Sequence, residues 1–269
     1  MALQITLPHT FWQLDELVSQ AIDHLYNEGE PRGVAGNLLS GFAHLVPPLR
    51  GHLPGSWRLW QAWGRQELPC RAPALTWSMI RAMAYVCQAW GYMDVAVVLL
   101  VGFLAFLRTG ELVGLRCSHI LLNNTHSGMV FVQLPHTKTT SRSGGIESVS
   151  FDCLWVRGML GRFLRTKEPG DYVLTRTANQ FRKIFEACIG ELNLNNSFRP
   201  YSLRRGGASH FFRVTGSMDR TMEMGRWRDA RTARIYVNTA LLELSSLVLA
   251  PDVEQHIELC AHSIQNAWT

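Results

Sequence analysis

Apolar side chains near the start of the chain recur at helical spacing, interrupted by proline and glycine. In the first such stretch, over residues 11–28, they lie three or four positions apart: Leu14, Leu17, Ala21 and Leu25. Two further stretches, over 36–45 and 57–66, are also typical of short helices, with breaks at proline and glycine between them. Residues 1–66 are therefore expected to form a small helical domain.

The next residues, 67–75, differ in character from the sequence on either side. Pro69 and Pro73 fall close together among polar and small residues. Two prolines at this spacing disfavour a continuous helix or strand, so this segment is interpreted as a linker. The rest of the chain, 76–269, is expected to form a second and larger domain.

The second domain mixes helical and strand periods. Thr76 can cap a helix that runs to Ala89, and the continuous apolar run Val95–Leu107 predicts a buried helix over 92–107. Further elements follow from the same patterns: strands over 118–122, 129–134 and 146–151, and helices over 153–165 and 177–194. The sequence thus predicts a mostly α fold with a small antiparallel β-sheet.

The C-terminal stretch carries an apolar stripe at helical spacing. Its members recur at i, i+4, i+7 and i+11: Val253, Ile257, Cys260 and Ile264. Such a stripe must cover its apolar face with something. Packing on its own domain and docking on a partner both remain open at this point.

Composition is that of a globular protein with a sizeable core, since 47% of the residues are hydrophobic. The run Val95–Leu107 is shorter than the roughly 20 apolar residues that cross a bilayer, and the first residues lack the layout of a secretory signal. The cysteines form no Cys-x-x-Cys pair and share no metal-ligand spacing with the histidines. We therefore expect an intracellular protein with reduced thiols, no membrane segment and no metal site.

Basic residues concentrate in the segment 199–238. It holds nine arginines and three acidic residues, a surplus of six, while the whole chain has a net charge of +5. Such a density of guanidinium groups suggests a polyanionic partner such as a nucleic-acid backbone. Charge alone also fits a solvated helical face and therefore does not distinguish it from a nucleic-acid-binding surface.

Four short motifs occur in order along the chain. The first is Phe-Leu-Arg-Thr-Gly-Glu-Leu at 106–112, and the second is Pro-His-Thr-Lys-Thr at 135–139. The third is Tyr-Ser-Leu-Arg at 201–204, and the fourth is Gly-Arg-Trp at 225–227, after which comes Tyr236. Their order and spacing resemble the tyrosine recombinases of the phage integrase family, which carry an arginine box, a hairpin lysine, a His-x-x-Arg box, a Gly-x-His or Gly-x-Trp turn and a tyrosine nucleophile.

The resemblance covers about 76–238 and implies a recombinase catalytic domain. It also implies a set of catalytic residues: Arg108, Lys138, Tyr201, Arg204, Trp227 and Tyr236. Two positions depart from the family pattern, because Phe106 stands in place of a glycine and Tyr201 in place of the histidine. Tyrosine can supply a hydrogen bond but is a poor base near pH 7, so the resemblance implies reduced activity.

These residue types suit attack on a DNA phosphodiester. The guanidinium groups of Arg108 and Arg204 would hold the nonbridging oxygens. Tyr236 would attack phosphorus and form a 3′-phosphotyrosine, while Lys138 protonates the departing 5′-hydroxyl. Trp227 would donate its indole N–H to the phosphate. This chemistry needs neither a metal nor a nucleotide cofactor, and the sequence contains no P-loop motif.

The resemblance also implies partners. The enzyme would act as a homo-tetramer on double-stranded DNA, with the duplex encircled between the two domains, of which 1–66 is a partial DNA-clamping domain. Arg205, Arg228 and Arg231 would contact the DNA backbone. The favoured interpretation is a site-specific recombinase or integrase of a mobile element, located in the nucleus if the host is eukaryotic. The alternatives are a weakened or domesticated copy that binds DNA without cutting, a type IB topoisomerase-like relaxing enzyme, and a protein-binding helical domain.

Overall fold

The computed structural model describes residues 10–28, 30–66, 72–122, 128–135, 147–227 and 229–269. At four positions within these ranges it describes the backbone alone: Gln66, Thr232, Ile235 and Tyr236. By its internal contacts the chain divides into two compact units, 1–71 and 72–269.

The first unit contains three α-helices: α1 (Phe11–Asn27), α2 (Arg32–Leu45) and α3 (Pro54–Gln66), with a 3-10 turn over Pro47–Leu49 between the last two. Helices α2 and α3 both begin earlier than the sequence predicts. The cause is proline, which breaks a helix interior but fits just before or within the first turn, where no N–H partner is needed. Pro31 precedes the first residue of α2, and Pro54 is the first residue of α3.

A buried carboxylate joins α1 to the start of α3. Asp15 accepts hydrogen bonds from the backbone N–H of Gly55 at 2.7 Å and of Ser56 at 2.8 Å, and from the Ser56 hydroxyl at 2.6 Å. It therefore caps a helix other than its own. The core of this unit is formed by buried apolar side chains: Val18, Ile22, Ala35, Leu39, Leu53 and Trp63.

The second unit is mostly helical. Its helices are α4 (Trp77–Ala89), α5 (Met93–Leu104), α6 (Thr109–Val113), α7 (Leu154–Leu164), α8 (Ala178–Glu191), α9 (Tyr201–Thr215), α10 (Met218–Gly225), α11 (Ala230–Ser245) and α12 (Pro251–Trp268). With the sheet described next, they confirm the predicted fold class. None of the described helices, in either unit, is long and apolar enough to cross a membrane.

The sheet has three antiparallel strands in the order β1 (Ile120–Leu122), β2 (Met129–Leu134) and β3 (Glu147–Asp152). Val132 of β2 lies opposite Ile120 on one side and Val149 on the other. Alternate residues face the core, as expected for a sheet with one covered face. Ile146, which the pattern assigned to the third strand, lies outside the described residues.

Helix α5 lies at the centre of this unit, with residues 94–103 buried. The continuous apolar run predicted that this helix would continue to Leu107, but it ends at Leu104. The reason is Phe106, whose φ of 49° belongs to the left-handed region and cannot continue a right-handed helix. Arg108 is consequently the N-cap of α6, where the sequence placed it at the end of the preceding helix.

Two glycines of helix α9 lie very close to other backbone segments: Gly206 lies against Leu75, just before α4, and Gly207 against Phe103, near the end of α5. A Cβ atom at Gly206 would overlap the carbonyl oxygen of Leu75, and one at Gly207 would overlap the carbonyl oxygen of Phe103. Only glycine lets the backbones come this close. These contacts fix the position of the N-terminal part of α9 relative to the turn after α5.

The terminal helix α12 packs on α4 of its own unit. Its apolar stripe buries Ile257, Cys260 and Ile264 there, and Val253 is half-buried. The indole N–H of Trp268 donates to the side-chain oxygen of Gln88 at 2.8 Å. Of the two possibilities left open by the pattern, packing on its own domain is what the structure shows for this stripe.

Candidate active site

The turn after α5 presents Arg108. Glu111, three residues later, accepts the backbone N–H of Arg108 at 2.7 Å through Oε2 and its Nη1 at 2.8 Å through Oε1. One carboxylate thus fixes both the main chain and the guanidinium of this residue. The Arg108 side chain is 36% exposed, so part of the guanidinium remains accessible to a ligand.

Arg204 lies in the first turn of α9 and is only 2% exposed. Its Nη1 donates to the carbonyl oxygen of Phe106 at 2.5 Å, and its Nη2 donates to the carbonyl oxygen of Gly225 at 2.6 Å. The guanidinium carbon also lies 5.1 Å from the centre of the Trp227 ring. Arg204 therefore joins the arginine-box turn to the Gly-Arg-Trp turn.

The Gly-Arg-Trp turn closes the end of α10. A Cβ atom at Gly225 would overlap the ring of Trp227, so glycine is what allows the indole to fold back at this point. Trp227 is half-buried and packs against the core of the unit. Trp227, which was predicted from the Gly-Arg-Trp motif, lies beside Arg204.

Two charged residues of this network were present in the quoted motifs but were not singled out from the sequence. Arg226 donates through Nη2 to Glu111 Oε2 at 2.9 Å and to the Phe106 carbonyl oxygen at 3.3 Å. The side chains of Arg226 and Glu111 are each 7% exposed. Glu111 could have been identified from its position three residues after Arg108, because residues at this spacing are neighbours on a helix. Arg226 was counted only as part of the basic surplus.

The network shifts the protonation equilibria of its members. Burial would raise the pKa of Glu111, but the charge of Arg226 and the hydrogen bonds from Arg108 outweigh it, so this pKa is lowered. Burial lowers the pKa of Arg226, an effect that Glu111 opposes and that the charge of Arg108 reinforces. Glu111 is therefore ionised at neutral pH and forms true ion pairs with both arginines.

Tyr201 is the first residue of α9, three positions before Arg204 and so on a neighbouring part of the helix surface. Its side chain is 44% exposed. The residue that replaces the family's histidine is thus solvent-accessible and not a member of the apolar core.

Three of the residues named from the sequence cannot be placed fully. Lys138 and Arg228 lie outside the described residues. Tyr236 lies in α11, where only its backbone is described. Helix α11, which contains Tyr236, packs against α9, the helix that contains Tyr201 and Arg204.

The expected DNA-backbone contacts divide between surface and interior. Arg231 is exposed at the start of α11, as a phosphate contact requires. Arg205 is fully buried instead, with Nη1 donating to the Ala72 carbonyl oxygen at 2.5 Å and lying 3.0 Å from a carboxylate oxygen of Glu243. This corrects the sequence-based expectation, because a side chain enclosed in this way cannot reach a phosphate in this conformation.

The burial of Arg204, Arg205 and Arg226 changes the meaning of the basic segment. These guanidinium groups lie inside the unit and are held by carboxylates and carbonyl oxygens, so the segment is more than a solvated helical face. Within the described ranges, His, Cys, Asp and Glu form no group of three or more that could hold a metal ion.

The sequence model of the phage integrase family matches residues 78–242, more than half of the chain. The chain therefore belongs to the phage integrase family, the class of tyrosine recombinases. The matched region begins in α4 and ends in α11, so it contains the arginine box, both later motifs and Tyr236. No curated protein matches the chain.

Solved structures of tyrosine recombinases share the fold. XerH site-specific recombinase bound to palindromic difH substrate superimposes with a TM-score of 0.58 at 14% identity, covering 89% of this chain and 72% of that chain. The Tn1549 transposon integrase in complex with transposon right end DNA gives 0.54 at 11%, covering 87% and 85%. XerA recombinase gives 0.50 at 14%, covering 87% and 98%. At these identities the likeness establishes the fold.

Proposed function

We propose that this protein cuts and rejoins double-stranded DNA through a 3′-phosphotyrosine, as a site-specific recombinase or integrase. The observation that carries the proposal is the position of Arg204. A buried guanidinium is costly unless it is well paired. Here it joins two motifs of the family, 98 positions away at Phe106 and 21 positions away at Gly225, and the first of these motifs also carries the partly exposed Arg108.

The proposed chemistry assigns one task to each residue. Arg108, whose side chain is 36% exposed, binds the nonbridging oxygens of the scissile phosphate. Arg204, which is buried and bonded through both terminal amino groups to carbonyl oxygens, adds its positive charge to the site from inside the unit. The Tyr236 phenol gives its proton to solvent, and its oxygen forms a bond to phosphorus while the bond from phosphorus to the 5′-oxygen breaks. Lys138 gives a proton to the departing oxygen, and Trp227 adds a neutral donor. Because the phosphotyrosine retains the phosphoester, the reverse reaction rejoins the strand.

Double-stranded DNA is the proposed partner. Two structures with this fold, the XerH and Tn1549 complexes, contain DNA, which supports the same partner here. Within the same proposal, the three helices of the first unit form the DNA-clamping domain and four copies assemble on the DNA. Exposed Arg231 contacts the backbone, and Arg228 is assigned the same role from the sequence.

Replacement of Tyr236 by phenylalanine tests the nucleophile. Wild-type protein incubated with a pool of nicked suicide duplexes carrying a randomised core should yield a covalent protein–DNA band on a denaturing gel. Tyr236→Phe should abolish that band, because the phenol oxygen is the atom that bonds to phosphorus, while DNA binding in a native gel stays within about twofold. Tyr172→Phe, which alters an exposed phenol that pairs with Arg116, is the matched control and should retain the band.

The other possible results identify the alternatives. A band that survives Tyr236→Phe would assign the nucleophile to another residue. A native gel shift without any covalent band in wild-type protein would favour a copy that binds DNA without cutting, an interpretation that Tyr201 supports. Relaxation of a supercoiled plasmid that lacks any special site would favour topoisomerase-like activity.

A further inference from the structure

The backbone of Arg226 is in an unusual conformation for its residue type. It follows α10 with φ 56° and ψ 40°, in the left-handed region. Glycine or asparagine adopts this conformation at lower cost and commonly ends helices in this way. An arginine held here by its surroundings is the kind of outlier from which a functional role can be inferred.

The side chain of Arg226 is also incompletely paired. Its Nη2 bonds to Glu111 and to the Phe106 carbonyl oxygen, and the side chain is 7% exposed. Its Nε and Nη1 are buried, and among the residues that the structure describes they have no hydrogen-bond partner. Buried N–H donors are rarely left in this state. The arrangement therefore has capacity for further negative charge.

The charges around Glu111 do not balance. Arg108 and Arg226 bond to its two carboxylate oxygens, and Arg204 shares the Phe106 carbonyl oxygen with Arg226. Glu147, at the start of β3, also attracts Arg226 electrostatically. Three guanidinium groups against these two carboxylates leave one positive charge in excess, which equals the charge of one phosphodiester group.

We propose that Arg226 is a positioning residue of a phosphate-binding site and acts on Arg108 through Glu111. With Glu111 paired to Arg108 alone, the carboxylate would cancel the charge of Arg108 and repel an incoming phosphate. Because Arg226 also pairs with Glu111, it offsets the negative charge of that carboxylate. The positive charge of the exposed Arg108 guanidinium is then available to attract the ligand. The identity of the ligand as a DNA phosphate rests on the proposed function, but binding itself requires only the anion.

Inorganic phosphate is the probe, used on the full chain with sodium chloride at the same ionic strength as the reference. Thermal unfolding is followed over a range of phosphate concentrations, because a ligand of the folded state raises the melting temperature. Arg226→Lys keeps the charge and Arg226→Gln removes it, and both keep a side chain on the left-handed backbone. Arg182→Gln is the matched control, since Arg182 is exposed on α8 and pairs with Asn179.

We expect wild-type protein, Arg226→Lys and Arg182→Gln to be stabilised by phosphate. Arg226→Gln should require about tenfold more phosphate for the same rise, the size expected from losing one charge-assisted interaction. If this variant does not fold, Arg226→Gly removes the charge on a residue that tolerates φ 56°. A purely structural role would lower the melting temperature of the uncharged variant while leaving its response to phosphate unchanged.

Three results would overturn the proposal: an equal response to phosphate in Arg226→Gln and wild-type protein, an equal loss in Arg226→Lys and Arg226→Gln, or no phosphate-specific stabilisation of the wild type. This measurement contains no DNA and is therefore separate from covalent capture. A phosphate response without capture would count against the proposed function alone. Capture without a phosphate response would count against the role of Arg226 alone.

Discussion

Arg204 donates its two terminal amino groups to carbonyl oxygens of two different turns, and this fixes the plane of its guanidinium. A lysine at this position could not make both bonds in the same fixed geometry, since an ammonium lacks the planar fork. The sequence identified Arg204 from its motif. It could not show the burial, because the acceptors at Phe106 and Gly225 are main-chain atoms that carry no sequence signature.

Tyr201→His is the residue-scale test of the departure from the family pattern. Because the side chain is 44% exposed, the change should leave the free energy of unfolding within about 0.5 kcal/mol of wild type. An imidazole at this position would titrate within about one unit of pH 6.5 and could assist proton transfer. Single-turnover capture of nicked duplexes, measured from about pH 5.5 to 8.5, should become faster near pH 7 and acquire this titration.

Tyr201→Phe is the control for that measurement, since it removes the hydroxyl without adding a titratable group. If the pH profiles of wild-type protein and Tyr201→His coincide, position 201 takes no part in proton transfer.

At the scale of elements, apolar periodicity predicted the helices and strands more accurately than it predicted their ends. The strand Met129–Leu134 was predicted to the residue, and Thr76 caps α4 as expected. The end of α5 was missed because Ala105, Phe106 and Leu107 continue the apolar run. A positive φ is usually signalled by glycine or asparagine, and phenylalanine gives no such signal.

Alanine at Gly206 or Gly207 tests the close contacts that α9 makes with Leu75 and with α5. The added methyl group would overlap a carbonyl oxygen of Leu75 or Phe103, and backbone atoms there cannot move aside. Each change should lower the free energy of unfolding by about 1–3 kcal/mol, the usual range for overpacking. It should also displace Arg204, which lies two or three residues earlier in the helix, so covalent capture should fall as well. Urea unfolding and the capture assay measure the two effects.

Gly190→Ala is the matched control. Gly190 also lies in a helix, α8, but a Cβ atom there would meet nothing within 4 Å. This variant should be neutral or more stable by up to about 1 kcal/mol, since alanine favours helix. Equal stability of the Gly206, Gly207 and Gly190 variants would show that the close approach is not required.

At the scale of the whole molecule, the two units have separate apolar cores. The first is built from residues between Val18 and Trp63, and the second from residues between Leu75 and Ile264. The sequence indicated a division from the prolines near position 70. It could not indicate which arginines of the basic segment lie inside, because Arg204 and Arg205 are adjacent in sequence and surrounded by helix-compatible residues. The clamping role of residues 1–66 stays a prediction.

A fragment of residues 72–269 should fold on its own, because the second core uses only residues from that range. Its thermal transition should lie within about 3 °C of the larger transition of the full chain, as expected when two units unfold independently. Circular dichroism and calorimetry on both proteins provide the comparison. A fragment that unfolds without a cooperative transition would show that the second unit depends on the first.

The acceptor shared by Arg204 and Arg226 is the carbonyl oxygen of Phe106, and substitutions do not delete a carbonyl. Evolution can therefore vary the side chain at this position without removing the anchor, provided that the new residue tolerates φ near 49°. A search motif that requires glycine at the position of Phe106 would miss this chain. A motif that leaves this position open and requires the later Gly-x-Trp would find it.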